Sequence, residues 1–225
     1  MTTPRLIVFD CDGTLVDSGH IIVSTLSAAW RAEGMEPPDP DLMRHQIGLP
    51  LVEAIANLAP QAGRTLHEKL AENYKSVFVG GREVGAHEEP LYEDCATILA
   101  SLASEERYLL GVATGKGRRG LGHTLTRHGI GHHFAVLKTA DDGPGKPNPD
   151  ILIDAMDELG VKPWHTVMIG DTVFDVTMAV RAGAHAIGVS WGYHPPAELR
   201  KAGARVVAER FAEIPGLLQT IWSDE

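Results

Sequence analysis

Along the chain, short unbroken apolar runs alternate with stretches in which apolar positions recur every three or four residues. The runs are Leu6-Ile7-Val8-Phe9, Tyr108 to Ala113, Phe134 to Leu137, Thr166 to Ile169 and Ala186 to Val189. Lacking polar alternation, they fit strands covered on both faces of a parallel sheet. Helical periodicity fills Arg118 to His128, Pro149 to Leu159 and Thr172 to Ala182, closed by Gly129, Gly160 and Gly183. Glycine is the usual residue for the left-handed turn that ends a helix. This β-α alternation predicts an α/β fold: a parallel sheet with right-handed crossovers and helices on both faces. Pro196 to Ala202 and Phe211 to Trp222 read as further helices, and Ala204 to Ala208 as an edge strand.

From Ser18 to Glu89 the rhythm changes. Helical patterns cover Ser18 to Glu33, Asp41 to Gln46, Leu51 to Leu58 and Arg64 to Phe78, the last expected to stop before Gly80-Gly81. No strand pattern intervenes, and Gly85 to Pro90 would return the chain to the sheet. The predicted organisation is a core made of residues 1–17 and 90–225 and an inserted α-helical cap domain at 18–89, with hinges near Asp17 and Glu89.

Composition narrows the function classes. A formal net charge of −10 argues against nucleic acid as a partner, because phosphate neutralisation needs Lys and Arg. No apolar run is long enough for a bilayer, and Leu6 to Phe9 leads straight into carboxylates rather than a cleavage site. The expectation is a cytoplasmic protein with no membrane partner, monomeric by default, with a weak dimer as the alternative. The two cysteines, Cys11 and Cys95, lie in no zinc or redox spacing. The eleven histidines include no HExxH pattern.

Chemistry-bearing residues follow runs that are far apart in sequence: Asp10 and Asp12, then Thr114, Lys146, Asp171 and Asp175. Carboxyl ends of strands in an open parallel sheet line one crevice, so these residues are expected to converge. Alone, Asp-x-Asp is an ordinary turn or capping pair. Four carboxylates in a partly desolvated cleft require a cation, and oxygen donors with retained water suit Mg²⁺. Asp10 and Asp171 are the expected direct ligands, with Asp12 contributing its carbonyl and Asp175 acting through water. Gly115 to Gly120 is not a phosphate-binding P-loop and reads as an exposed helix start.

Asp10-Cys11-Asp12-Gly13-Thr14-Leu15-Val16-Asp17-Ser18 resembles the first motif of the haloacid dehalogenase superfamily. Val112-Ala113-Thr114-Gly115 resembles the second, Gly145-Lys146-Pro147-Asn148-Pro149-Asp150 the third, and Ile169-Gly170-Asp171-Thr172-Val173-Phe174-Asp175 the fourth. With the insertion after the first motif, the chain most resembles phosphoglycolate-phosphatase-like members. The resemblance implies a Rossmann-like core, an Asp10 nucleophile and an aspartyl-phosphate intermediate, with a small phosphorylated metabolite as substrate. It also implies that Asp12 is the acid/base, protonated in the first step by virtue of its neighbours. Thr114 and Lys146 would bind and neutralise the phosphoryl group, and backbone amides of Cys11, Asp12 and Gly115 would cradle it. Gly13 would permit close approach. Arg44, His45, Gln46 and the Ile47-Gly48-Leu49-Pro50 turn are the cap's candidates for selectivity.

The chain departs from the family pattern in the second motif, where Gly115 stands in place of the Asn of many relatives. Pyrophosphate and sugar phosphates are rival substrates. A β-phosphoglucomutase-like reading lacks its cap histidine, since the position twelve residues after Asp10 is Ile22. Dehalogenase relatives lack the second aspartate that Asp12 supplies. A phospho-accepting receiver domain also joins Asp, Thr and Lys around Mg²⁺, but leaves 18–89 unexplained.

Overall fold

The computed structural model describes residues 3–83 and 88–223. Its sheet, all parallel among the described residues, has the order β3-β2-β1-β4-β5-β6. The strands are β1 (Arg5–Phe9), β2 (Tyr108–Ala113), β3 (Phe134–Lys138), β4 (Thr166–Gly170), β5 (His185–Val189) and β6 (Val206–Ala208). Chain order turns back between β1 and β4, and that switch opens a crevice at their carboxyl ends. The fold is thus the expected α/β arrangement.

Strand β1 shows why the runs are unbroken. Its odd residues, Ile7 and Phe9, pack with Leu99 and Leu102 of α5 (Cys95–Ala103) and Leu218 and Trp222 of α10 (Ile214–Ser223). Its even residues, Leu6 and Val8, pack on the other face with Ile151 and Met156 of α7 (Asp150–Leu159) and Val176 of α8 (Val173–Arg181). Successive strand residues point to opposite faces, so covering both faces makes every position apolar. Helices α6 (Arg118–His128) and α9 (Pro196–Ala202) complete the layers.

Between β1 and α5 lie α1 (Gly19–Ala32), α2 (Pro40–Arg44), α3 (Leu51–Leu58) and α4 (Arg64–Glu83). They enclose a separate apolar cluster that includes Leu26, Trp30, Met43, Ile55 and Leu70. Asp39 starts α2 by accepting from the Asp41 N–H at 2.8 Å, a helix cap that satisfies an otherwise unpaired amide. The two strands of chain joining this bundle to the sheet run side by side: Asp17 N–H donates to Pro90 O at 2.9 Å and Tyr92 N–H to Leu15 O at 3.1 Å.

Two expectations need correction. Helix α4 continues through Gly80 and Gly81 to Glu83, because glycine lowers helix propensity by only about 1 kcal/mol. Helix α5 was absent from the sequence reading; Cys-Ala-Thr-Ile-Leu-Ala-Ser-Leu-Ala is apolar nearly all round, so it carries little helical periodicity. The expected return segment falls partly at 84–87, outside the described residues.

Candidate active site

The sheet brings the fourth-motif and first-motif carboxylates together. Asp10 follows β1, Asp171 follows β4 and Asp175 lies in the first turn of α8, and all three are buried. One carboxylate oxygen from each falls within a set whose members lie within 4.8 Å of one another. Lys146 is fully buried, with its Nζ 2.8 Å from Asp10 Oδ1 and 2.5 Å from Asp175 Oδ1. Burial opposes its charge, but Asp10 and Asp175 outweigh it and raise the lysine above its ordinary range.

Each acid is held from a different side. Asp10 Oδ1 accepts from the Cys11 N–H at 2.6 Å. Asp171 accepts from the Thr14 hydroxyl at 2.8 Å and the Tyr193 N–H at 2.9 Å. Asp175 caps α8 reciprocally with Thr172, whose N–H and hydroxyl both donate to Asp175 Oδ2. Gly13 adopts φ +84°, and a Cβ there would lie 2.4 Å from Asp171 Oδ2. Only glycine lets the first loop pass this close to the fourth-motif acid.

One lysine against three buried carboxylates leaves negative charge uncompensated. Burial pushes the Asp10 carboxyl up to about 7, against the pull of Lys146 and with Asp175 and Asp12 adding to the rise. Asp171 is raised as well, by burial first and then by Asp175 and Asp10. Asp10 Oδ2 is buried and accepts no hydrogen bond among the described residues. A hard divalent cation bound by oxygen fits this donor set.

Asp12 lines a cavity of about 810 Å³ together with Asp10, Thr114 and Gly115. The Ser18 hydroxyl donates to Asp12 Oδ1 at 2.7 Å, and Lys116 Nζ reaches the same oxygen at 2.6 Å. One oxygen of Asp12 thus meets both a hydroxyl and an ammonium. The segment does start helix α6 at Arg118, with Arg118 and Arg119 exposed, but Lys116 just before it departs from the exposed reading. Its side chain is only 8% exposed and continues to Glu89 Oε1 at 3.1 Å. Glu89 in turn accepts from Thr124 through Oε2 at 3.1 Å and contacts His128 through its carbonyl at 2.7 Å. Sequence reasoning missed Lys116 and Glu89 because each is a lone charge whose partners are remote in the chain.

Thr114 is buried at the end of β2, and its hydroxyl oxygen accepts from the Lys116 N–H at 3.2 Å. Its own proton is therefore available to an acceptor in the cavity. Gly115 has a steric reason: a Cβ there would lie 2.6 Å from Gly48 O, in the turn between α2 and α3. Gly145 likewise faces Pro50, whose Cγ would be 2.3 Å from an added Cβ. The Ile47–Pro50 turn thus sits down on two side-chain-free positions, and Gly115 removes the Asn side chain that would obstruct it.

Arg44 and His45 lie elsewhere than expected. The Arg44 guanidinium pairs with Asp41 on the surface at 2.5 Å. His45 stacks on His194 at 4.0 Å between ring centroids and lies 3.7 Å from Glu198. Neither lines the cavity, whereas Gln46 and the 47–50 turn do. His45, His194 and Glu198 form a ligand-like group, but both His194 nitrogens are committed. Nδ1 accepts from the Val173 N–H at 3.1 Å, so Nε2 donates to His45 O at 3.0 Å. Burial lowers the His194 pKa, consistent with this neutral form fastening the helical insertion to the sheet layer.

Comparison with known proteins places the chain in a family. The family described as "Haloacid dehalogenase-like hydrolase" matches residues 7–189. The chain is 35% identical to "Probable phosphatase IndB" of Dickeya dadantii, over 94% of this chain and 92% of that one. It is 31% identical to "Tyrosine-protein kinase PtkA" of Mycobacterium tuberculosis, covering 91% of this chain and 68% of that one. It is also 28% identical to "Phosphoglycolate phosphatase" of Pasteurella multocida, covering 97% and 100%. The structure titled a predicted phosphatase from Clostridium acetobutylicum superposes with a TM-score of 0.84 at 24% identity, over 99% and 100% of the two chains.

Proposed function

Because the chain belongs to the haloacid dehalogenase-like hydrolase family as one of its phosphatases, we propose that it hydrolyses a small phosphomonoester in two steps through an aspartyl-phosphate on Asp10, using Mg²⁺. The single observation that carries the reading is Asp10 itself: a buried carboxylate at the cavity wall, held through Oδ1 while Oδ2 accepts no hydrogen bond among the described residues.

In the first step an Asp10 oxygen bonds to phosphorus as the P–O bond to the leaving alcohol breaks, and Asp12 delivers a proton to the departing oxygen. In the second, Asp12 takes a proton from a water that attacks phosphorus, releasing phosphate and restoring Asp10. Lys146, wedged between Asp10 and Asp175, fixes the nucleophile and offsets charge shared with the phosphoryl group. Lys116 and Ser18 hold Asp12 at the cavity wall.

The metal would be held by Asp10, Asp171 and the Asp12 carbonyl, with Asp175 behind them through water, its oxygens already engaged by Thr172 and Lys146. When bound, the ion neutralises charge on the transferring phosphoryl group. The helical insertion at 18–89 acts as the cap that covers the reacting groups.

Thr114→Val is expected to lower kcat by about 10²–10³-fold, the usual loss on removing one donor to a developing oxyanion; steady-state kinetics with purified protein measure it. Metal dependence has a stability counterpart. The folded metal-free protein retains a proton on Asp10 up to about 7, where the unfolded chain loses it near 3.8. Its stability therefore falls as pH rises through that window. At neutral pH, Mg²⁺ at roughly 100 times its Kd should raise the melting midpoint by about 5–10 °C over chelator, and the gap should narrow in acid.

The reading is tested by a phosphate-release panel of phosphoglycolate, pyrophosphate, hexose phosphates and nucleotides, with Mg²⁺ and with chelator. Metal-dependent release from at least one ester is expected. Release that chelator leaves unchanged, or none from any compound, would refute it.

A further inference from the structure

The cavity has two unlike sides. Its sheet side carries Asp10, Asp12, Thr114 and Lys116. Its other side comes from the helical insertion and is apolar: Ile22 and Leu26 from α1, Leu49 and Val52 around the start of α3, Tyr74 and Phe78 from α4. Tyr74 and Phe78 are one helical turn apart, and their rings stack at 5.6 Å between centroids with planes 20° apart. They form one continuous aromatic wall. Val52 is 42% exposed where it borders the cavity.

The basic groups that line the cavity are either paired or exposed, and none belongs to its apolar wall. Lys116 is bound to Asp12 and Glu89. Among the described lining residues of the insertion, the one basic side chain is Lys75, which pairs with Glu72 at 2.8 Å and is 61% exposed. Arg119 and His123 border the cavity from α6, both at exposed positions on the side opposite the aromatic wall's helix. Arg44 and His45 face away from the cavity. A carboxylate one methylene from the ester oxygen, turned toward Tyr74, Phe78 and Val52, would meet hydrocarbon, where an unpaired charge is strongly disfavoured. A volume of about 810 Å³ is that of a site for a larger molecule.

Resting on the phosphatase reading, we propose that the substrate is an organic phosphomonoester whose leaving alcohol carries an uncharged ring-sized apolar group, seated against Tyr74, Phe78 and Val52. Remote apolar contact of this kind raises kcat/KM when it holds the ester in line with the nucleophile.

The test compares 2-phenylethyl phosphate, ethyl phosphate and phosphoglycolate, all with alkoxide leaving groups, so that leaving-group reactivity does not imitate recognition. The expected order is 2-phenylethyl phosphate first, by at least about tenfold in kcat/KM over each of the others, the scale set by one or two methylenes in an apolar pocket. Phe78→Ala should bring the phenylethyl-to-ethyl ratio toward one. Val52→Lys, at a partly exposed position that asks little of folding, should raise phosphoglycolate relative to 2-phenylethyl phosphate. If phosphoglycolate matches or exceeds the phenylethyl ester in the parent protein, the assignment of the leaving group fails while the phosphatase reading stands. Hydrolysis of the phosphate panel's other esters with none of these three accepted also overturns it, and no hydrolysis of any ester overturns both.

Discussion

Asp10→Asn is expected to leave a folded protein and lower kcat by roughly ten-thousandfold or more, the scale of loss when a covalent nucleophile is removed. The amide is nearly isosteric, but it is a poor nucleophile and carries no charge. Because Asp10 sits buried beside Asp171 and Asp175, removing one negative charge relieves repulsion even as it weakens the contact with Lys146. Loss of turnover should therefore come without loss of the cooperative thermal transition. Phosphate release in the Mg²⁺ assay and a melting curve in chelator together measure this. An inactive variant that has also lost its cooperative transition would instead make Asp10 a structural residue.

Lys146→Met reverses the balance and should be the most destabilising single change in the site. It leaves Asp10 and Asp175 facing each other without the ammonium at 2.8 and 2.5 Å. Breaking a buried ion pair from one side costs about 3–5 kcal/mol, because the remaining charge stays desolvated. For a chain of this size, that corresponds to a fall of about 6–20 °C in the melting midpoint. Urea unfolding in chelator at neutral pH gives the free energy. The loss should shrink in acid, where Asp10 takes up a proton in the folded state. Methionine keeps the stem's volume, so the measurement reports the charge rather than a cavity.

Much of this was readable before any coordinates. Apolar runs with both parities filled placed the strands, because a parallel sheet covered by helices leaves no polar face. Once those strands are parallel neighbours, Asp10, Thr114 and Asp171 must meet at one edge, since each follows the carboxyl end of its strand. What sequence could not supply was partner choice between remote single residues. Lys116 lies among glycines and arginines, a setting that describes a solvated turn equally well; its burial follows from Asp12 and Glu89 arriving from other elements. Arg44 and His45 were attractive because they are basic and precede the 47–50 turn. The geometry of α2 instead turns Arg44 onto Asp41 and His45 onto His194, while the neighbouring turn docks over Gly115. Helix α5 was hidden for the opposite reason, since an element apolar on nearly every side has no period to detect.

The central claim is that the phosphoryl group rests on Asp10 between substrate and water. It is tested most directly by reacting excess protein with a radioactively phosphorylated substrate and Mg²⁺, quenching in acid within a turnover, and mapping the label. The account predicts a transient acyl-phosphate, cleaved by hydroxylamine, on the peptide that contains Asp10. Full phosphate release with no protein-bound label at any quench time, or label on a different residue, would contradict it.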